Sequence, residues 1–195
     1  MRVKYVIYSA PAAIVITALI LLVYYILRRV GIIKTKLTIV RAAAIFLLVG
    51  WMISVYKLTM QGRGHRGGVN LTLFGDLRST RSADDLEMII YNILMFVPLG
   101  ALLPLILKRA EKLYFTGIAS LAASLAIELY QLITRCGIFE LDDIIDNTAG
   151  GIFGYFLIMA LILSLRAKRP DISALLRIFI VPAAMALLIG AAVMI

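Results

Sequence analysis

Six stretches of this chain stay apolar for about the ~20 residues that a bilayer core requires. They are Tyr5–Leu27, Leu37–Tyr56, Leu86–Leu107, Leu113–Thr134, Ile144–Leu165 and Leu175–Ile195. In hydrocarbon no water satisfies the backbone, so only helices or closed barrels can cross it. Unbroken apolar runs of this length select helices over alternating strands. The expected fold is an all-α integral membrane protein: a compact bundle of about six transmembrane helices in one membrane domain, residues 1–195. The 63% apolar content agrees, since soluble domains hold roughly half. The leading MRVK and the run after it resemble a signal peptide. The run is too long for one, and the expectation is a retained span.

A net charge of +9 would suggest nucleic acid in a soluble protein. Here the Lys and Arg gather at helix ends, and no nucleic-acid partner is expected. Arg28, Arg29, Lys34, Lys36 and Arg41 flank the first connection. Lys108, Arg109 and Lys112 fill the third, and Arg166, Lys168, Arg169 and Arg177 surround the fifth. The positive-inside rule puts these three connections in the cytoplasm, with both termini outside. The long second connection, Lys57–Asp85, is also basic but counts less because of its length. Its QGRGHRGG is no P-loop, for no GxxxxGK[ST] follows a strand. The following VNLTLFGDLRS reads as a short interfacial or re-entrant segment on the outer surface. One cysteine, Cys136, excludes an intrachain disulfide, and the single histidine, His65, lies in a distant loop.

Against this background one block stands out: ELYQLITRCGIFELDDIIDNTAGG, Glu128 to Gly151. Glu128, Gln131 and Arg135 are spaced by three and four residues, as on one helix face. Asp143, Asn147, Gly150 or Gly151, and Gly154 share a face of the next helix, and Asn92, Phe96 and Gly100 a face of an earlier one. At a rise of ~1.5 Å per residue, Asn92 and Glu128 lie at similar depths, roughly 9 Å inside the outer surface. The glycines let backbones approach closely, and Pro98 removes a helical donor near the cluster. A carboxylate at mid-bilayer costs about 2.5–3.5 kcal/mol on insertion scales, so these faces should meet each other, not lipid.

The pattern N-x3-F-x-P-x-G, then E-x2-Q, R, an acidic turn and D-x3-N-x2-G, resembles the VanZ-like family of bacterial membrane proteins. The likeness runs from Val69 to Gly154 and falls on Asn70, Asn92, Phe96, Pro98, Gly100, Glu128, Gln131, Arg135, Asp143, Asn147, Gly150 and Gly154. Leu73 stands where the family often has Pro, and Glu140 where Asp is common. The resemblance implies a multi-pass envelope protein of the bacterial cytoplasmic membrane, and one member is linked to low-level resistance to teicoplanin. On this reading residues 37–165 are the VanZ-like core, 1–36 an added N-terminal helix with its cytoplasmic turn, and 166–195 a C-terminal helix.

Glu128, Gln131 and Arg135 suit either an interhelical polar clamp or a pocket. Glu140, Asp142 and Asp143 suit a helix start, where acids meet the macrodipole. Three functions are compatible. The first is a site open to the outer leaflet, built from Asn92, Glu128, Gln131, Arg135, Asp143 and Asn147, for a lipid-linked envelope molecule or lipoglycopeptide antibiotic. The second is an intramembrane enzyme acting on a lipid-linked phosphate or sugar. There Glu128 and Asp146 are the acid and base, and Asp143 a further catalytic candidate. The third is a transporter, against which stand the small size and the lack of paired broken helices. The expected partners are membrane lipids and that amphiphile, with the oligomeric state left open. No cofactor and no metal site are expected, although the acidic oxygens suit a divalent cation such as Mg²⁺ or Ca²⁺.

Overall fold

The computed structural model describes residues 2–31, 37–60, 67–73 and 83–166. Five α-helices occur among them: α1 (Arg2–Arg29), α2 (Ile39–Met60), α3 (Ala83–Ile106), α4 (Leu113–Thr134) and α5 (Leu141–Arg166). They coincide with the first five apolar runs to within a few residues. The sixth run, Leu175–Ile195, lies outside the described residues. The helices α2 to α5 are long and apolar enough to cross a membrane.

Helix α5 packs along α3 and also against α4, α3 packs on α2, and α2 on α1. Glycine decides the α3–α5 contact. A Cβ on Gly150 would lie 2.0 Å from the Ile93 carbonyl oxygen, and one on Gly154 2.0 Å from that of Val97. One on Gly100 would lie 1.8 Å from the carbonyl oxygen of Gly151. Only hydrogens fit between these backbones. This is the small-residue packing that replaces hydrophobic burial when the solvent is lipid.

Pro98 and Pro104 both lie inside α3. Pro98 has no N–H for the carbonyl of Leu94. One residue along, the Met95 carbonyl accepts a hydrogen bond from Trp51 Nε1 of α2 at 2.6 Å. The Trp51 ring also meets Phe96 edge to face, with centroids 5.6 Å apart. Phe96, Leu99, Leu103 and Ala110 form the buried core of this layer.

The two ends of the bundle differ. At one, α3 leads into a short 3₁₀ turn, Lys108–Glu111, before α4. Thr116 Oγ1 donates to the Ala110 carbonyl at 2.9 Å, and Tyr155 Oη to that of Glu111 at 2.7 Å. Arg166 forks onto the Glu111 carboxylate at 2.9 and 3.1 Å. Its hydrogen bonds and charge hold the Glu111 carboxyl below its ordinary value.

At the other end two short strands pair in parallel: β1 (Gly68–Asn70) and β2 (Ile138–Glu140). The segment expected to be interfacial or re-entrant begins as a strand, with Val69 opposite Phe139 and Asn70 opposite Glu140. Its backbone bonds to a partner some seventy residues away, a pairing that local periodicity does not announce. The rest of the segment lies outside the described residues.

Candidate functional site

Helix α4 buries a polar stripe. Thr116, Ser120 and Ser124 are fully buried, Glu128 is 1% exposed and Gln131 2%. They recur every three or four residues, so they occupy one face along nearly the whole helix. That face meets α5. A Cβ on Gly151 would lie 2.0 Å from Ser120 Oγ, and one turn on, Asn147 Nδ2 donates to Ser124 Oγ at 3.0 Å. The register is antiparallel.

At the strand end Glu128 Oε2 accepts the backbone N–H of Glu140 at 3.0 Å. Glu140 closes β2 and immediately precedes α5. The first N–H groups of a helix lack intrahelical acceptors, and the macrodipole is positive there. A carboxylate from a neighbouring helix therefore serves α5 as an N-terminal cap. Asp142 and Asp143, in the first turn of α5, meet the same positive end. Asn92 Nδ2 of α3 donates to Asp143 Oδ1 at 2.6 Å. Three helices thus join hydrophilic side chains near the strand end. Asp146 lies half-buried in the next turn of α5.

Gln131 Nε2 reaches the Thr59 carbonyl of α2 at 3.4 Å. Arg135 does not share this face. Helix α4 stops at Thr134, and Arg135 follows in a left-handed conformation, φ 55° and ψ 29°. Its N–H bonds to the Leu132 carbonyl, and that of Cys136 to the Gln131 carbonyl at 3.1 Å. This is a Schellman ending, in which glycine usually takes the left-handed place. Arg135 is exposed, and its aliphatic stem lies against Gly67 just before β1. The i, i+3, i+7 spacing failed here because the helix ends one residue too soon.

The structure therefore brings together Asn92 with Asp143, Asn147 with Ser124, and Glu128 with the head of α5. Gln131 is tied to α2, and Arg135 stands on the rim. Sequence reasoning missed Thr116, Ser120 and Ser124, although their four-residue repeat ending at Glu128 was the available signal. Among the described residues no group of three His, Cys, Asp or Glu side chains is arranged to hold a metal ion.

The sequence profile of the VanZ/LLP1 family matches residues 15–164, from within α1 to near the end of α5. The chain belongs to the VanZ/LLP1 family. In this VanZ/LLP1 protein the matched region contains the glycine-packed α3–α5 pair, the polar stripe of α4 and both strands. Comparison with curated proteins and with solved structures finds no match.

Proposed function

We propose that this VanZ/LLP1 protein is a cell-envelope protein whose strand end faces outward and recognises the polar headgroup of a lipid-linked envelope molecule or a lipoglycopeptide antibiotic. On this reading it contributes to teicoplanin-type resistance. One observation carries the proposal: Asn92, Glu128, Asp143 and Asn147, from three otherwise apolar helices, gather near one end of the bundle. Beside them Arg135 presents a guanidinium at the rim from a strained backbone. Apolar helix walls suit the tail of an amphiphile, and the hydrophilic end suits its head. Arg135 is the anchor for a phosphate or carboxylate, because a guanidinium forks onto planar anionic groups. The charge of the short connections supports the orientation, with Lys108, Arg109 and Lys112 at the opposite end.

The test is susceptibility to teicoplanin in cells producing wild-type protein, Arg135→Ala or Glu128→Gln at matched membrane levels. Loss of resistance in both variants is the expected result. Full resistance in both sinks the reading.

A further inference from the structure

Midway along the α4–α5 seam three polar atoms have no hydrogen-bond partner within the protein: Ser120 Oγ, Asn147 Oδ1 and Thr148 Oγ1. All three are shut off from the surface; Ser120 is 0% exposed and Asn147 2%. The antiparallel register sets them on adjacent turns. Ser120 abuts Gly151, and Asn147 and Thr148 precede Gly151 by four and three residues, the adjacent turn on the same side of α5. The Asn147 amide is already fixed, because its Nδ2 donates to Ser124 Oγ. Its oxygen is left as an acceptor.

Buried polar atoms without partners are rare, and ordered water is their usual complement. The chemistry here selects water over an ion. All three groups are neutral, and an ion would bring a charge that none of them balances. Two hydroxyls both donate and accept, whereas the amide oxygen only accepts. One water donating to Asn147 Oδ1 and to one hydroxyl, and accepting from the other, makes the roughly three bonds typical of buried water.

We propose that Ser120, Asn147 and Thr148 hold a buried water between α4 and α5. The water completes the hydrogen bonding of the seam beside the Asn147–Ser124 bond. It is a hydration site inside the span that adjoins the proposed headgroup site, with Asn147 common to both.

Thermal unfolding of the purified protein in detergent tests this, read by the fluorescence of Trp51, the single tryptophan. Ser120→Ala and Thr148→Val each remove one hydroxyl with little change of shape. Each is expected to lower Tm by about 2–4 °C, and the double variant to lower it by less than the two losses combined, because both contact one water. A rise in Tm on either substitution would mean that the hydroxyls are dry, and overturns the proposal. Strictly additive losses overturn it as well. Should Ser120→Ala fail to fold, Thr148→Ser and Thr148→Val decide: the hydroxyl-bearing variant keeps the wild-type Tm and the valine variant loses it. An unchanged Tm for Thr148→Val counts against the site.

Discussion

Arg135 occupies a backbone conformation that costs an L-residue with a side chain roughly 1–2 kcal/mol relative to glycine. Arg135→Gly is therefore expected to raise stability by about 1 kcal/mol while abolishing the envelope phenotype, as thermal unfolding and teicoplanin susceptibility would show in parallel. A variant that is both more stable and fully active would show that the guanidinium has no task. Glu128 gives a different contrast. Glu128→Gln keeps an oxygen for the Glu140 N–H, whereas Glu128→Ala leaves that donor without it, at a cost of about 1–3 kcal/mol. Denaturation midpoints should rank wild type and Gln close together, with Ala clearly below. The polarity of this position was legible from the sequence, its partner was not. The acceptor–donor pair joins a side chain to a backbone amide, and backbone amides look alike in every sequence.

Between elements, the α3–α5 contact rests on backbone meeting backbone. Gly150→Ala and Gly154→Ala each press a methyl against a carbonyl oxygen and should cost about 1–3 kcal/mol or more, seen as lost yield of folded protein. Gly117→Ala is the control. Nothing lies within 4 Å of a Cβ there, and in a helix alanine gains up to ~1 kcal/mol over glycine. Equal behaviour of all three variants would refute the packing argument. These glycines were readable in advance because their spacing follows the helical period. The strand pair was not, since Gly68–Asn70 and Ile138–Glu140 carry too few residues for periodicity to register. The end of α4 was misread for a related reason. Nothing in Thr134–Arg135–Cys136 announces a stop, and Gly137 comes two residues later than a glycine-capped ending would place it.

For the molecule as a whole, the far end is fastened by Glu111, which ties Arg166 and Tyr155 back to the turn before α4. Its folded carboxyl titrates below the ordinary value of 4.5, chiefly through the Arg166 hydrogen bond. The stability it adds is fully present above that value and fades as the pH falls through the lowered one. Arg166 is more than half exposed, so solvent screens the pair and the contribution is small. Glu111→Gln should flatten the acid limb of a plot of Tm against pH and leave neutral stability slightly reduced. The bundle and its apolar spans were plain from composition and run length alone. The way the polar groups are shared out among partners was not, because it depends on which of two neighbouring helices α5 faces at each turn, and no spacing rule orders helices in space.

The parallel ribbon has a temporal meaning. Its halves lie on either side of α3 and α4 in the chain, so neither half can find the other until both intervening helices are inserted and folded back. During synthesis β1 must wait, edge unpaired, while the ribosome makes everything up to Glu140. The ribbon then works as a latch that only a finished hairpin can close.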